Sequence, residues 1–556
     1  MIKPSCSPLL EVKGLTVVAD DKAVLSGIEF SIAPDEVLGI VGETGAGKSV
    51  LARALIKLLP EGLRATSGEI AINGEKISNY SKEEDRQLRG RHIALIGTNA
   101  KALLDPVETV GMQVARVLQA HRGGTRQDAW KAAIDLFTKV GIVDPERRAR
   151  AYPHELSGGM AQRVVIAMAL IAGPRIVLAD DATLGLDATI QVQVLDLLIT
   201  RCRELGLGVV LITHDLGIVA HYCDRVAIMR GGKIVELRPT GDFLEQPETT
   251  YGRDLIAAAR IRPTPMIESP PKAAETPSRR GKLLEVLNVR KHFPLGDGQV
   301  VKAVDDVSFS VARGQTLALV GESGSGKTTI GQCLVRLLDI DSGSVVFDDQ
   351  EITNLEERRF RTLRRRIQMV FQEPYVALNP RWRVEGLIAE PLRLDRTLKR
   401  DDRAHRVRQL LEMVHLPARA GQLFPHEITA GEQKRVGIAR ALATSPDFVI
   451  FDEPTTALDI RVRAQIIDLV RELQQGMGLS ALFITHDLNS VRSLAHNVAV
   501  MRYGKIVEQG LTEQVFNAPV HDYTKMLLAA ELPIEQSEKQ RSREENKRLE
   551  GLRRTK

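Results

Sequence analysis

The sequence predicts an α/β protein in which one module is written twice in tandem. Short apolar runs with the pattern of buried parallel strands, such as residues 448–451, alternate with helical periodicities. Two of these runs lead into a glycine-rich loop that opens a helix, and the motifs that follow recur in the same order in both halves. With 556 residues, of which 43% are hydrophobic, the chain is long enough for about two to four domains.

The glycine-rich loops are the first element of each copy. In the first half, residues 37–41 predict a strand, 42–49 form the loop and the apolar spacing of 49–59 predicts a helix. The second half repeats this order with a strand over 316–320 and a loop over 321–328. Both loops match G-x-x-x-x-G-K-[ST], in which glycines let backbone N–H groups and the helix N-terminus face phosphate. The sequence therefore predicts two nucleotide-phosphate sites.

Each loop has a lysine for the β- and γ-phosphates and a hydroxyl for Mg²⁺. The phosphate-binding residues that the motif predicts are Gly42, Glu43, Thr44, Gly45, Ala46, Gly47, Lys48, Ser49 and Val50 in the first half, and Gly321, Glu322, Ser323, Gly324, Ser325, Gly326, Lys327, Thr328 and Thr329 in the second. One such loop alone has a real false-positive rate, whereas two loops followed by the same further motifs make a chance match very improbable.

The next motif separates the two halves. Residues 366–380 of the second half correspond to residues 92–106 of the first and place Gln372 opposite Thr98. A carboxamide at the end of a strand can ligate Mg²⁺ and couple the ion to a neighbouring helical segment. Thr98 is too short to do so from the same backbone position.

A helix then begins in each half, over residues 161–170 and 433–442. Residues 156–160 and 428–432 precede these helices, with a serine or threonine as the expected N-cap and glycines that allow close backbone approach. Such an N-terminus can bind an anion, and the alternative is a plain helix cap. The anion-binding residues expected here are Ser157, Gly158, Gly159, Thr429 and Gly431.

Two carboxylates end the next predicted strand of each half, where open α/β sheets bind their ligands. We expect Asp180 and Asp452 to hold Mg²⁺, and Glu453 to orient a water for attack on a phosphate. Asp181 takes the position of Glu453 in the first half and is one methylene shorter. Two acids after a strand are weak evidence alone, since a solvated loop explains them equally well.

A histidine follows the last predicted core strand of each half. His214 comes after residues 209–213, and His486 comes after residues 481–485. A lone histidine after a strand is usually structural, but in company with the preceding motifs these two are expected to touch the γ-phosphate.

Composition limits the other possibilities. The net charge is only +5 with acids and bases mixed, which argues against a dedicated nucleic-acid binder. The four cysteines, Cys6, Cys202, Cys223 and Cys333, show neither CxxC nor metal-ligand spacing, so we expect reduced thiols. The N-terminus lacks the apolar core of a signal peptide and no apolar run is long enough to span a bilayer, so a membrane role would require a partner.

The repeat also predicts the domain boundaries. We expect a first nucleotide-binding domain over residues 1–259, a proline-rich linker over 260–282, a second domain over 283–532 and a charged tail over 533–556. The alternating charges of the tail are typical of a solvated or frayed helix.

Together these motifs resemble those of ATP-binding cassette (ABC) ATPases, with two cassettes fused in one chain. The resemblance covers nearly everything except the linker and the tail. It implies two tandem P-loop NTPase domains, each with a RecA-like core, an antiparallel β subdomain and a helical signature subdomain. It also implies that the cassettes face head to tail and enclose two ATP molecules, each held between the phosphate loop of one cassette and the signature helix of the other. Loss of the γ-phosphate on hydrolysis would then release the two cassettes from each other.

The resemblance implies two unequal ATP sites. The first has every group that the family uses, although Met160 replaces the usual glutamine of the signature; the second lacks both the glutamine of the strand end and the long carboxylate, and Ala430 adds a methyl where glycine is usual. The first combines Lys327, Thr328, Gln372, Asp452, Glu453 and His486 with Ser157, Gly158 and Gly159, and the second combines Lys48, Ser49, Asp180, Asp181 and His214 with Thr429, Ala430 and Gly431. We expect the first site to hydrolyse ATP, with Glu453, His486 and Gln372 as catalytic residues, and the second to bind ATP and turn it over slowly or not at all.

The adenine contact follows the same asymmetry. Phe293 stands where the family places an aromatic ring that stacks on adenine, and Ala19 lies near the corresponding point of the first half. Stacking is therefore expected to be weaker in the first half. The alternative for Phe293 is a simple core position.

The closing segments of the cassettes indicate the branch of the family. Residues 516–530 resemble the His-x-Tyr-Thr-x-x-Leu-Leu-x-Ala pattern of the oligopeptide/dipeptide/nickel importer subfamily, and residues 374–380 resemble its segment after the glutamine. The alternative is a C-terminal helix that merely caps the sheet. Some members carry a cysteine cluster after the cassette, which this chain lacks, so we expect no iron–sulfur centre.

The resemblance implies the ATP-hydrolysing subunit of a bacterial importer for peptides or peptide-like solutes, peripheral on the cytoplasmic face of the inner (cell) membrane. It implies ATP and Mg²⁺ as cofactors, two integral-membrane permease subunits docked beside residues 372–383 and 98–112, and a periplasmic or extracellular solute-binding protein, with no nucleic-acid partner. The alternative is a soluble translation factor of the ABC-F kind. Such factors usually have a long charged helical arm between cassettes and a catalytic glutamate in both, whereas this linker is short and Asp181 replaces one glutamate.

Overall fold

The computed structural model describes residues 8–20, 22–260, 281–294, 300–373, 377–394, 397–456, 458–532 and 534. The linker predicted over 260–282 lies outside these residues except at its ends, and the tail predicted over 533–556 lies outside them except at Ile534. Contacts divide the chain into two compact units. The first is Met1–Arg260 with Asp459–Arg461 and Leu532–Lys556, and the second is Ile261–Leu458 with Val462–Glu531.

The first unit contains two sheets. Its strands are β1 (Leu10–Ala19), β2 (Lys22–Ile32), β3 (Val37–Gly42), β4 (Leu63–Ile72), β5 (Glu75–Lys76), β6 (Ile93–Ile96), β7 (Ile176–Asp180), β8 (Gly208–Ile212), β9 (Arg225–Arg230) and β10 (Lys233–Pro239). One sheet is antiparallel in the order β2-β1-β4-β5, and the other has the order β10-β9-β3-β8-β7-β6. In the larger sheet the strands from β9 to β6 are parallel, and β10 pairs antiparallel at the edge.

Helices cover the larger sheet and extend from it. They are α1 (Lys48–Leu55), α2 (Lys82–Gln87), α3 (Ala100–Leu103), α4 (Val110–Arg122), α5 (Arg126–Lys139), α6 (Pro145–Ala149), α7 (Gly158–Leu170), α8 (Ala188–Glu204), α9 (Leu216–Tyr222), α10 (Thr240–Glu245) and α11 (Thr250–Ala259). Helices α3 to α7 lie between β6 and β7 in the chain and form the helical segment of this unit.

The second unit repeats this architecture. Its strands are β11 (Lys282–Pro294), β12 (Val300–Ala312), β13 (Thr316–Val320), β14 (Ser342–Phe347), β15 (Gln350–Glu351), β16 (Ile367–Val370), β17 (Phe448–Asp452), β18 (Ser480–Thr485), β19 (Asn497–Arg502) and β20 (Lys505–Leu511). The antiparallel sheet has the order β12-β11-β14-β15, and the larger sheet has the order β16-β17-β18-β13-β19-β20. The strands from β16 to β19 are parallel, and β20 pairs antiparallel at the edge.

The helices of the second unit follow the same plan. They are α12 (Lys327–Leu334), α13 (Glu357–Arg364), α14 (Val384–Ala389), α15 (Arg400–Met413), α16 (Ala430–Leu442), α17 (Ile460–Met477), α18 (Leu488–Leu494), α19 (Thr512–Asn517) and α20 (Asp522–Ala529). The predicted α/β class is thus confirmed in both units: a parallel core sheet, an antiparallel sheet and a helical segment.

Burial explains why these apolar runs form central strands. Every residue of β3, β8, β13, β17 and β18 is buried. Continuous apolar runs of this kind are typical of parallel strands that are covered on both faces. Because neighbouring parallel strands end at one edge, the glycine loops after β3 and β13 come close to the acids that end β7 and β17.

Two helix predictions differ from the structure. The helix predicted over 49–59 ends at Leu55, because Lys57 adopts a left-handed backbone with φ 53° that terminates it. The helices predicted to start at 161 and 433 start at Gly158 and Ala430, so the small residues of the signature form the first helical turn.

Candidate functional site

The glycine loop of the second unit is closed around its lysine. Lys327 Nζ donates hydrogen bonds to the carbonyls of Gly321 (2.9 Å) and Glu322 (2.8 Å), and the residue is 4% exposed. Gly326 has φ 105°, and a Cβ there would lie 2.0 Å from the carbonyl oxygen of Ala303. Only glycine fits this position, since the backbone is left-handed and another segment occupies the space.

The loop of the first unit has the same shape. Lys48 Nζ donates to the carbonyls of Gly42 (2.7 Å) and Glu43 (2.9 Å), and Gly47 has φ 97°. Burial lowers the pKa of Lys48, while Asp181 and Asp180 act in the opposite direction. An ammonium group held at the centre of a ring of backbone groups is placed to turn toward a bound phosphate.

The strand-end carboxylates face the hydroxyl that follows each lysine. Thr328 Oγ1 donates to Asp452 Oδ1 at 3.0 Å, and Asp452 is 2% exposed. Burial raises the pKa of Asp452 to about 6, although the hydrogen bond from Thr328 acts in the opposite direction. Burial likewise raises the pKa of Asp180, and a hydrogen bond from Ser49 opposes it. The structure therefore brings together the predicted hydroxyl and carboxylate in both units.

These hydroxyl–carboxylate pairs fit a magnesium ion. Hydroxyl and carboxylate oxygens are hard ligands of the kind that Mg²⁺ prefers. In the first unit, Asp180 Oδ1 is buried and accepts no hydrogen bond from any described residue. A buried acceptor without a donor is costly, and a cation would remove that cost.

Glu453 sits at the centre of the catalytic groups that the sequence predicts. Its Oε2 accepts hydrogen bonds from Gln372 Nε2 (3.0 Å) and Thr456 Oγ1 (2.9 Å), and His486 Nδ1 lies 3.4 Å from its Oε1. Burial acts to raise the pKa of Glu453, but hydrogen bonds from His486 and Thr456 and the charge of His486 hold it at about 2. The carboxylate is therefore ionised at neutral pH and can accept a hydrogen bond from a water.

The first unit reproduces this backbone with a shorter side chain. Asp181 and Glu453 both have φ 45°, and each donates its N–H at 2.9 Å to the neighbouring strand, at Ile212 and Ile484 respectively. Non-glycine residues held in this region are rare and cluster at functional sites. Asp181 Oδ1 lies 3.1 Å from His214 Nδ1, so the histidine contact survives the loss of the methylene.

The strand-end glutamine has no counterpart in the first unit. Gln372 and Thr98 each lie just beyond the strand, β16 or β6, that flanks the acid-bearing strand, and this confirms that the two positions correspond. In the described part of the chain, no hydrogen bond joins Thr98 to Asp181, whereas Gln372 reaches Glu453. The acid of the first unit, Asp181, therefore lacks the link to this loop that Glu453 has.

The sequence interpretation missed a buried lysine behind Glu453. Lys434, in α16, is 4% exposed, and its Nζ donates to the carbonyls of Gln372 and, at 3.3 Å, of Glu453. Burial lowers the pKa of Lys434 to about 8. The corresponding residue of α7 is Gln162, whose buried Nε2 has no partner among the described residues. Comparison of the two copies at this position would have revealed the difference.

The helices that follow the signature motifs also differ at their N-termini. The hydroxyl of Ser157 accepts a hydrogen bond from the N–H of Met160 at 3.3 Å, as an N-cap does. In the second unit, Glu432 Oε2 accepts from both the N–H and the hydroxyl of Thr429, each at 2.8 Å. Glu432 thus places a negative charge at the N-terminal end of α16, where it would repel a bound anion.

The glycines of these motifs permit close helix packing. A Cβ on Gly159 would lie 2.6 Å from Ile190 Cγ2, and a Cβ on Gly431 would lie 2.5 Å from Val462 Cγ1. Gly158 is less constrained, since its nearest neighbour would be Leu186 Cδ2 at 3.3 Å. No hydrogen bond in the described residues joins either signature motif to the phosphate loop of its own unit.

Comparisons with known proteins agree with this geometry. The ABC transporter family model matches residues 25–184 and 304–456, and the model of the oligopeptide/dipeptide transporter C-terminal region matches residues 507–553. The chain belongs to the ABC transporter family of ATP-binding proteins. The peptidoglycan transport ATP-binding protein YejF of Agrobacterium fabrum is 40% identical over 547 residues, which cover 96% of this chain and 98% of that protein. The glutathione import ATP-binding protein GsiA of Escherichia coli K12 is 39% identical over 552 residues, which cover 93% of this chain and 88% of that protein.

Membership of the ABC family makes this chain an ATP-binding ATPase, as predicted. The match to the C-terminal region confirms the resemblance to the oligopeptide/dipeptide branch. Among the residues that the structure describes, no helix combines the length and the apolar character needed to cross a membrane.

The two ABC units also differ at the predicted adenine position. Leu10 and Leu284 occupy equivalent places in the pairing of β1 with β4 and of β11 with β14. Ala19 follows Leu10 by the same number of residues as Phe293 follows Leu284. Phe293 is half-buried at the end of β11, with Lys291 Nζ 5.6 Å from its ring centroid. A partly exposed ring remains accessible to a base, so stacking by Phe293 stays a prediction.

Proposed function

We propose that this chain is the ATP-hydrolysing subunit of a bacterial importer for peptides or peptide-like solutes. The observation that carries the proposal is similarity over almost the whole chain to proteins named for peptidoglycan transport and glutathione import. The match of residues 507–553 to the oligopeptide/dipeptide C-terminal region supports the same class of cargo. Neither comparison supports a translation factor, the alternative that the fused cassettes allow.

The residues around Glu453 perform the hydrolysis. Lys327 turns from the loop carbonyls to the β- and γ-phosphates, and Glu453 orients a water whose oxygen forms the new bond to the γ-phosphorus. The bond to the bridging oxygen breaks, and the water proton passes to Glu453 or through it to the product phosphate. His486, already beside Glu453, stabilises the charge of the γ-phosphate. Thr328, Gln372 and Asp452 would hold Mg²⁺, which neutralises phosphate charge when bound.

The second ATP, at Lys48, is bound rather than hydrolysed efficiently. Ser49 and Asp180 would hold its Mg²⁺, and His214 would reach its γ-phosphate. Asp181 and Thr98 are shorter than Glu453 and Gln372, so they do not orient a water for attack on that phosphate. By the family pattern, Ser157, Gly158 and Gly159 face the ATP of the Lys327 loop. Thr429 and Gly431 then face the ATP of the Lys48 loop, where Glu432 adds a negative charge.

The partners follow from the class of the relatives. We infer two integral-membrane permease subunits and an external solute-binding protein, with this chain peripheral on the cytoplasmic face of the cell membrane. Closure around ATP drives the permease, and hydrolysis at the Glu453 site resets it. Peptides are the first candidate for the transported solute. The other candidates are opines, glutathione-like conjugates, metal chelates and small oligosaccharides.

The experiment is reconstitution with the products of the neighbouring genes. The chain is co-expressed with two permeases encoded beside it, purified in detergent and placed in lipid nanodiscs with the solute-binding protein. We expect a stable complex whose ATPase rate rises when the binding protein carries a dipeptide, glutathione or a muropeptide, and a Lys327→Ala complex that is inactive. Purification with ribosomes and without permeases would instead support the translation-factor alternative.

A further inference from the structure

One buried tyrosine in the closing helix of each unit contacts the phosphate loop of that unit. Tyr251 in α11 is 3% exposed, and Tyr523 in α20 is 2% exposed. The N–H of Glu43 donates to the Tyr251 hydroxyl at 3.2 Å, and the N–H of Glu322 donates to the Tyr523 hydroxyl at 3.0 Å. Both donors are the second residue of their loop, so the same contact is built twice in one chain.

The peptide group that receives this contact is held from both sides. In the second unit, the N–H of Glu322 shares its peptide group with the carbonyl of Gly321, which accepts from Lys327 Nζ at 2.9 Å. The next carbonyl, of Glu322, also accepts from Lys327 Nζ, at 2.8 Å. In the first unit, the N–H of Glu43 shares its peptide group with the carbonyl of Gly42, which accepts from Lys48 Nζ at 2.7 Å. When the lysine turns to a phosphate, the carbonyl loses that partner, and the tyrosine becomes the main side-chain support for the peptide.

Each tyrosine is itself held in place by a stacked cation. Arg230 Cζ lies 4.9 Å from the ring centroid of Tyr251, and Arg502 Cζ lies 4.5 Å from that of Tyr523. Both arginines are the last residue of the strand next to β3 or β13. The ring is therefore fixed against the same sheet edge that carries the loop.

A buried or half-buried glutamate fixes the start of each closing helix. Glu236 accepts hydrogen bonds from the N–H groups of Glu248 (2.8 Å) and Thr249 (3.1 Å). Glu508 accepts from the N–H groups of Val520 (2.8 Å) and His521 (3.0 Å). Charge-assisted bonds of this kind are strong and directional. The closing segment is thus tied to the last strand at one end and to the phosphate loop at the other.

We propose that Tyr251 and Tyr523 are positioning residues that hold the two phosphate loops in their ATP-binding shape, each for the loop of its own unit. The inference deepens the proposed function and rests on ATP binding at both loops. A helix that merely covers the sheet would need the apolar ring but not the hydroxyl. Loss of the hydroxyl would leave a half-buried N–H without this partner, and the loop would have to be reordered whenever ATP binds.

The size of the effect follows from this reordering. If the loop of a Tyr→Phe variant spends only part of its time in the binding shape, the apparent dissociation constant for ATP equals the intrinsic one divided by that fraction. One lost neutral hydrogen bond corresponds to about 3- to 10-fold weaker ATP binding. Saturating ATP restores the loop shape, so the maximal rate should change much less than the KM.

The test separates the two sites with a crossed set of variants. Lys48→Ala leaves the Lys327 loop as the ATP-binding loop, and Lys327→Ala leaves the Lys48 loop. In the first background, Tyr523→Phe should weaken the binding of the non-hydrolysable analogue AMP-PNP with Mg²⁺, measured by calorimetry, and Tyr251→Phe is the matched control. In the second background, the two tyrosine variants exchange roles. Because binding is measured without hydrolysis, the result for the tyrosines is independent of whether the two sites hydrolyse ATP at unequal rates. Either claim can fail while the other holds.

Hydrogen exchange gives a second, ligand-free measurement on the full chain. Tyr523→Phe should speed amide exchange in residues 321–326 and leave residues 42–47 unchanged, and Tyr251→Phe should do the reverse. Thermal unfolding checks that both variants remain folded. Unchanged exchange with unchanged affinity would overturn the proposal, and so would equal loss at both loops, because that pattern indicates general destabilisation.

Discussion

Replacement of Glu453 by glutamine tests the proposed inequality of the two sites. The substitution keeps the length and shape of the side chain but removes its charge. Gln372 and Thr456 both donate to Glu453 Oε2, at 3.0 and 2.9 Å, and His486 Nδ1 lies 3.4 Å from Oε1. A glutamine side chain offers only one oxygen as an acceptor for these groups. Its amide nitrogen would lie beside at least one of them in place of a carboxylate oxygen.

The expected loss of rate is large because Glu453 is the group that we propose orients the attacking water. Loss of a carboxylate that orients or deprotonates a nucleophile costs about 100- to 10,000-fold in rate. Binding of ATP should persist, because the lysine, the hydroxyl and Asp452 are untouched. Asp181→Asn is the matched control in the first unit, and it should lower the rate far less, by about 10-fold at most, if that site contributes little turnover.

The assay is steady-state phosphate release by the complex with its permeases, with AMP-PNP binding and thermal unfolding as controls. A Glu453→Gln complex that keeps near-normal activity would refute the assignment of the catalytic carboxylate. Equal and large losses in the Glu453 and Asp181 variants would show that both sites hydrolyse ATP. One ATP retained per chain in a trapped complex would show instead that only one of the two sites turns over rapidly.

Three further predictions concern other parts of the molecule. Lys434→Gln, which copies Gln162 of the first unit, should lower kcat about 10-fold with little change in KM, because Gln372 and Glu453 lose a shared donor; equal rates would contradict this. Phe293→Ala should weaken ATP binding about 5- to 100-fold if the ring stacks on adenine, measured by calorimetry in the Lys48→Ala background. Burial acts to raise the pKa of Glu236, but hydrogen bonds from Glu248 and Thr249 bring it below its ordinary value of 4.5. The contact therefore stabilises the fold above that pH, so the deficit in thermal midpoint of Glu236→Gln should be largest near pH 7 and shrink as the pH falls; a constant deficit would contradict this.

The sequence was sufficient for the features that depend on local pattern. The parallel strands, the glycine loops and the acids at the strand ends were all predicted, because continuous apolar runs and glycine spacing reflect burial and backbone shape directly. The correspondence of Thr98 with Gln372 and of Ala19 with Phe293 also came from sequence order. The structure then showed these pairs at equivalent places in the sheets.

The features that were missed depend on contacts between distant segments. Lys434 looks like an ordinary polar residue of a helix until the fold places it behind Gln372 and Glu453. Tyr523 lies far along the chain from Glu322, and only the packing of α20 brings the hydroxyl to the loop. The end of α1 at Leu55 was mispredicted because a left-handed residue, Lys57, overrides the apolar spacing. Single-sequence patterns carry little information about such contacts.

At the acid after the core strand, the two units differ in side-chain length and not in backbone φ. Asp181 keeps the rare φ of 45° that Glu453 adopts, and Lys48 keeps the loop contacts of Lys327. We therefore expect the first unit to bind ATP, because its lysine makes the same loop contacts, and to hydrolyse it slowly, because Asp181 is shorter than Glu453.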